Sequence, residues 1–350
     1  MEQKLHSSHT PYPSMAPLFD LFAGPPKMAV LEAAIELGIA EILVNHSGVD
    51  TISEQIGPAT NNIGLVAFLD AMVAMGLAKK KNKQYSNTDF SRHFLHHESP
   101  VFMGGLVKSM KAMQHKNLAD IANIVKNGPP EVPKDQILNS EVKWEQAVNH
   151  LAAYQRAGMG AICADLMETL PEFKGLTKIL DLGGGPGLIG AEILKRLPGA
   201  KGVLVDLPAI IKRAKAEIIK EGMAERISFL PGDYNDVDLG NGYDLIWASH
   251  NLYYVKDRVS FFKRLKKALT SQGVLVCLHE GLTHERTAPD DIVLSRLSLA
   301  LEGQDVSFTQ GEIAACIEQA GFEQIETRTL ILPSGISELV VARPGKGLKT

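Results

Sequence analysis

Two stretches of the chain combine residue types that do chemistry with spacing that can bring them together. The first is "DLGGGPGLIG", residues 181–190. The apolar run "TKIL" leads into it and a helical run follows, so a strand must turn sharply into a helix here. Gly183, Gly185 and Gly187 remove side chains where a ligand can lie against backbone near a helix N-terminus. Two more carboxylates follow the next apolar runs, Asp206 closing "KGVLVD" and Asp233 after "RISFLPG". The second stretch is "SHNLYYVKD", residues 249–257, directly after "YDLIWA". It places His250, Tyr253 and Tyr254 where a buried strand opens into a pocket. Histidine titrates near neutral pH.

After Gly175, apolar runs of strand length alternate with helical segments, which predicts an α/β fold with a parallel sheet covered on both faces. Before it, residues 27–43, 51–57 and 61–77 have helical spacing, and "LAKKKNKQYSNT" (77–88) reads as strand, basic turn, strand. Helices followed by a small hairpin make a winged-helix pattern. A Pro/Gly breaker covers 127–135, and 141–170 reads as a linking helix with one apolar face. The expected divisions are 1–105, 106–170 and 171–350.

Ligands of such sheets bind at the carboxyl ends of the strands. Residues 185–190 satisfy G-x-G-x-x-G, so a nicotinamide or flavin is one candidate. Asp181 argues otherwise, because a carboxylate before the glycines repels a pyrophosphate and attracts a cation. S-adenosylmethionine carries both a sulfonium and an ammonium. Asp206 is then placed for ribose hydroxyls and Asp233 for the adenine amino group. The competing reading is three loop aspartates that cap helices.

The segments "VLEAAIELGIAEIL", "FLDAMVAMGLAKKKNKQYSNT", "ILDLGGGPG", "VLVDLP" and "PGDY" together resemble the S-adenosylmethionine-dependent O-methyltransferases of the plant caffeate and acetylserotonin type and their bacterial relatives. The resemblance covers residues 18 to 343. It implies a Rossmann-like class I methyltransferase sheet behind an N-terminal, mostly helical winged-helix dimerisation domain, a homodimer, and an acceptor pocket walled partly by 106–170. By position, Asp181, Gly183 and Gly185 contact the methionine part of the cofactor, Asp206 and Leu207 the ribose, and Asp233 and Tyr234 the adenine. Ser249 falls where many relatives have a lysine. His115, His150, Tyr154 and Met159 fall in the acceptor pocket, in segments that also carry Met103, Met110, Met113 and Met167.

Plant relatives carry H-D-W-x-D after this strand, with its histidine as the base and two glutamates orienting it. Here Tyr253 stands at the histidine position and Val255 at the tryptophan. Glu280 matches one glutamate, whereas Ser307 and Phe308 occupy the place of the other. The expectation is that the His–Glu device is not used. Tyr253 then positions substrate or acts as the base, and His250 is a second candidate. Strand alternation turns His250 away from a pocket that Tyr253 faces, unless the strand has already ended. Oxygen is the expected acceptor atom. Carbon, nitrogen or sulfur remain open.

Composition bounds the rest. With 350 residues, 45% hydrophobic, the chain buries a sizeable core. A net charge of -4 argues against a dedicated nucleic-acid binder, although "KKKNK" (79–83) keeps open a winged-helix regulator with a cofactor-binding sensor domain. A binding protein without catalysis is a third alternative. Cys163, Cys277 and Cys316 are widely spaced, as in reduced cytoplasmic thiols rather than a disulfide framework or zinc site. No signal segment or membrane span is expected.

Overall fold

The structure is a computed structural model and describes residues 12–134 and 140–345. The chain divides into two compact units, Met1–Gly104 and Gly105–Thr350.

In the first unit, α1 (Ala16–Phe22), α2 (Gly24–Glu36), α3 (Ile39–Ile42), α4 (Val49–Ile56) and α5 (Asn62–Ala74) precede the hairpin β1 (Ala78–Lys81) and β2 (Gln84–Asn87), and α6 (Asp89–Phe94) follows. Asn61 caps α5, its Oδ1 accepting the Ile63 and Gly64 N–H groups at 3.1 and 3.3 Å. Asn82 and Lys83 take positive φ in the hairpin turn, as tight hairpins require. The core is Ile39, Leu43, Ile52, Leu69, Met72 and Tyr85. The basic wing is partly committed: Lys80 Nζ lies 2.6 Å from Asp70, which also accepts the Tyr85 hydroxyl at 2.7 Å. This is the winged-helix pattern expected from the sequence.

Helix α7 (Gly104–Gln114) starts at the boundary, and α8 (Ile121–Asn127), α9 (Glu141–Tyr154) and α10 (Gly160–Glu168) follow it in the second unit. The alternating part follows: β3 (Lys178–Leu182), α11 (Leu188–Lys195), β4 (Lys201–Asp206), α12 (Pro208–Lys220), β5 (Ile227–Pro231) and β6 (Tyr243–Ser249). Then come α13 (Arg258–Ala268), β7 (Leu269–His279), β8 (Gly281–Leu282), α14 (Asp290–Leu301), β9 (Phe308–Thr309), α15 (Glu312–Gln319), β10 (Gln324–Leu332) and β11 (Gly335–Arg343). Seven strands form one sheet in the order β10-β11-β7-β6-β3-β4-β5. The five strands β3 to β7 are parallel as expected, whereas β10 and β11 add an antiparallel edge.

Alternation divides the core between the two faces. Ile179, Leu245 and Trp247 pack toward the side of Cys163 and Met167, while Leu180, Leu182, Ile246 and Ala248 pack toward the side of Phe262 and Ile317. The chain runs from β3 out to β5 and then returns to β6 beside β3, so the sheet has its switch point between β3 and β6. A crevice opens there beyond the strand ends. The expected single helix over 141–170 is interrupted by a π-helical turn at Gln155–Met159, where Gly158 has φ 133°. Met159 is 4% exposed in the core, so the expectation that it lines the acceptor pocket is corrected.

Candidate active site

The two reactive stretches meet at the switch point. Asp181 is the fourth residue of β3 and is 5% exposed. A Cβ on Gly184 or on Gly190 would lie 2.5 Å from its Oδ2, so both glycines let the backbone close around the carboxyl. Its Oδ2 makes no hydrogen bond. Burial, with Asp206 nearby, pushes its pKa up to about 7, and the Gly190 N–H opposes this only weakly. Asp206, at the end of β4, accepts the Gly185 N–H on Oδ2 and the Leu207 N–H on Oδ1, both at 2.8 Å. Burial still raises its pKa, to about 6, against those two bonds. Gly185 has φ +59° and open space where its Cβ would be.

The neighbouring residues support this loop rather than add to its surface. Gln155 Oε1 accepts the Leu188 N–H at the start of α11 (3.1 Å), and Glu141 Oε1 accepts the Ala209 N–H at the start of α12 (2.9 Å). Asp233 Oδ1 holds its own turn through the Asn235 N–H and Nδ2, each at 2.8 Å. Tyr234 was expected to flank adenine. Its ring instead turns inward against Phe261, is 8% exposed, and its hydroxyl donates to the Asn251 carbonyl at 2.7 Å. Asn251 Nδ2 in turn donates to the Leu182 carbonyl, and a Cβ on Gly183 would lie 2.7 Å from it. Asn251, the asparagine of the second reactive stretch, therefore ties the glycine loop to the turn that follows β6.

That turn carries the second half of the site. β6 ends at Ser249, and His250 takes φ +50°, a left-handed conformation costly for a non-glycine residue. Alternation has stopped, so His250 and Tyr253 reach the same place, with Nδ1 3.2 Å from the Tyr253 hydroxyl. Glu280, just past β7, meets both. Its Oε2 accepts the Tyr253 O–H at 2.6 Å and lies 3.1 Å from His250 Nδ1. The Tyr253 proton goes to the carboxylate, and His250 Nδ1 faces the same Oε2. A His–Glu contact is therefore present, built from His250 rather than from position 253, where the family's histidine was expected and Tyr253 stands.

Arg296 of α14 completes the cluster, Nη2 donating to Glu280 Oε1 at 2.9 Å and to the Tyr253 hydroxyl at 3.3 Å. Burial raises the Glu280 pKa, but the charges of His250 and Arg296 and the bonds from His250 and Tyr253 outweigh it and hold the carboxyl well below its ordinary range. Burial and the Glu280 charge hold the Tyr253 phenol well above 10. His279 is fully buried against Tyr253 and Phe308, and burial keeps it neutral. Phe308, which with Ser307 falls where the second glutamate was expected, stacks on Tyr253 at 5.2 Å and 15°.

Of the proposed pocket residues, Tyr154 ends α9 with its hydroxyl beside Ser334, and burial raises its pKa. His150 packs on Gly105, whose Cβ would lie 2.0 Å from its ring. Among the described residues, neither His115 nor His150 joins the Glu280 cluster by a hydrogen bond or ion pair. Arg296 was missed in the sequence. The available signal was a single basic residue in the apolar run "DIVLSRLSLAL".

A sheet of this order with a glycine turn at its switch point defines a class I methyltransferase, and comparison with known proteins narrows it. Residues 143–323 match the O-methyltransferase domain and residues 19–97 the O-methyltransferase dimerisation domain. The chain belongs to this O-methyltransferase family, and its cofactor is S-adenosylmethionine. It is 24% identical to a 3-hydroxy-5-methyl-1-naphthoate 3-O-methyltransferase of Streptomyces sahachiroi, over 89% of this chain and 90% of that one. It is 25% identical to an N,N-dimethyltransferase of Streptomyces rimosus, over 83% and 86%. Human N-acetylserotonin methyltransferase in complex with S-adenosylmethionine superposes with TM-score 0.76 at 21% identity, over 96% of this chain and 99% of that one. No helix among the described residues is long and apolar enough to cross a membrane.

Proposed function

We propose that this protein methylates a hydroxyl of a small aromatic acceptor, with His250 as general base and Glu280 orienting it. The observation that carries this reading is the 3.1 Å approach of His250 Nδ1 to Glu280 Oε2 beside the glycine loop. The naphthoate specificity named for the Streptomyces sahachiroi relative supports the aromatic class.

The residues around the loop fit a cationic cofactor. Asp181 and Asp206 are two carboxyls held near neutrality by burial, one with a buried oxygen that makes no hydrogen bond. A sulfonium and an ammonium compensate them, whereas a pyrophosphate adds like charge. Gly185 leaves space open for the methionine part, with Gly183 held beside it by Asn251, Asp206 and Leu207 are proposed for the ribose, and Asp233 and Ser249 for the further polar contacts. Bound S-adenosylmethionine supplies an electrophilic methyl group.

His250 Nε2 removes the acceptor's hydroxyl proton as the oxygen becomes nucleophilic. Glu280, kept ionised, accepts the Nδ1–H and stabilises the imidazolium that forms. Such base catalysis contributes about 10²–10⁴-fold. Tyr253 holds its proton at neutral pH and serves as a fixed donor to Glu280 rather than as the base. Alignment of donor and acceptor contributes the remainder. Tyr154, His115 and His150 remain the residues proposed for the acceptor wall.

The working form is a homodimer through the N-terminal unit, supported by the matched dimerisation domain. A cytoplasmic location is supported by the free cysteines Cys163, Cys277 and Cys316. The test is mass spectrometry after incubation with methyl-labelled cofactor and a panel of phenols and naphthols. Labelled ether products that disappear in His250→Asn are expected. Undiminished labelling in that variant removes His250 as the base.

A further inference from the structure

We propose that Arg296 is a positioning residue for methyl transfer, acting through Glu280 to keep His250 able to accept a proton. The inference rests on His250 being the base. Arg296 is the one basic residue of α14, and its side chain is 17% exposed. A carboxylate paired with histidine alone favours the imidazolium, and a ring that already holds its proton cannot take another. A guanidinium on the far oxygen of the same carboxylate opposes that bias. Here the two oxygens are divided: Oε1 accepts from Arg296, and Oε2 serves His250 and Tyr253.

The guanidinium is fixed on several sides. It lies over the Tyr253 ring at 5.2 Å, Tyr253 stacks on Phe308, and the Arg258 guanidinium lies 5.4 Å from the Phe308 ring. α14 itself is held by Asn117, whose Nδ2 donates to Glu302 Oε1 at 3.0 Å and to the Ser298 carbonyl at 3.2 Å. Lys116 pairs with the same Glu302 at 2.6 Å.

The titratable groups facing this cluster come from four elements. His250, Tyr253 and Tyr254 lie in the turn after β6, His279 and Glu280 at the end of β7, Arg296 on α14, and Tyr154 at the end of α9. The tyrosines keep their protons and His279 stays neutral, so Glu280 and Arg296 are the standing charges that His250 meets.

The test reads the ring without needing an acceptor. Diethylpyrocarbonate modifies the neutral imidazole, so its rate at His250, followed by peptide mass spectrometry from pH 5 to 8, gives a labelling midpoint in the full-length protein. Arg296→Gln keeps a hydrogen-bond donor and removes the charge, and its midpoint is expected to move up by about half a unit to one unit. Arg296→Lys keeps the charge and is expected to stay near wild type. Glu280→Gln is expected to move the midpoint down, which keeps the charge balance measurable if Arg296→Gln folds poorly. An unchanged midpoint in Arg296→Gln, an equal shift in Arg296→Lys, or no downward shift in Glu280→Gln overturns the proposal. Full turnover by His250→Asn would instead remove the base assignment and leave the labelling result standing.

Discussion

At the scale of single residues, the proposed mechanism separates a group that moves a proton, His250, from groups that hold it in place. His250→Ala is expected to lower kcat by about 10²–10³-fold. Tyr253→Phe should cost about ten-fold or less, because Glu280 retains Arg296 and His250 as partners. Both are measured as initial rates of labelled product at saturating cofactor, and the reverse order of effects would return the base to Tyr253. The cofactor carboxyls make a separate prediction with a definite sign. A carboxyl whose folded pKa is raised favours the folded state while protonated, and that advantage is lost as pH rises from about 4 through about 7 for Asp181. A cationic ligand favours the ionised form, so affinity for S-adenosylmethionine should rise from pH 6 to pH 8 with proton release at the lower pH. Calorimetry in two buffers of different ionisation enthalpy measures both, and Asp181→Asn should flatten the trend. A wild-type affinity that does not vary with pH would take Asp181 out of the cofactor site. Asp181 and Asp206 were singled out in the sequence because each stands near a strand end, and Glu280 because it matches a glutamate position of the family. The direction of His250 stayed open in the sequence because residue spacing along a strand says nothing once the backbone turns to φ +50°.

Among the elements, the strand–turn–helix of β3 and α11 is shaped by how closely α11 approaches Asp181. Gly190 lies inside α11, where glycine ordinarily weakens a helix. Here a Cβ would meet the Asp181 carboxyl at 2.5 Å. Gly190→Ala should therefore destabilise the fold by about 1–3 kcal/mol and weaken cofactor binding at least ten-fold. Urea denaturation and calorimetry check the two effects. A stabilised Gly190→Ala protein would mean that α11 can move away, and that the cradle around Asp181 is not tight. Glycine, unlike most residues, announces a backbone need in the sequence, which is why this loop could be read in advance. The π-helical turn at Gln155–Met159 could not, because its one local mark is Gly158 within an otherwise helical pattern. The antiparallel pair β10 and β11 was also hidden. β10 is an edge strand with mixed burial, so its residues lack the continuous apolar run that marked β3, β6 and β7.

For the whole molecule, the sheet order explains why chemistry gathers where it does, and the N-terminal unit explains why the chain should not act alone. β4 leaves β3 on one side and β6 returns on the other, so the glycine loop and the His250 turn share one crevice without any long insertion. The first unit poses a different physical problem. α1 has no buried residue, and Leu18, Phe19, Leu21 and Phe22 are 55%, 64%, 74% and 64% exposed. Four large apolar side chains on a seven-residue helix form a patch that water does not tolerate well, which points to cover by another chain. A second copy is the occupant favoured by the matched dimerisation domain. Replacing Leu21 and Phe22 together with aspartate should then weaken self-association at least about ten-fold, since each carboxylate must be desolvated on assembly. Sedimentation velocity over a concentration series measures the shift, and circular dichroism checks that the fold survives. A wild-type protein that sediments as a monomer, or a double variant that associates as strongly as wild type, would exclude α1 as the face through which two copies meet.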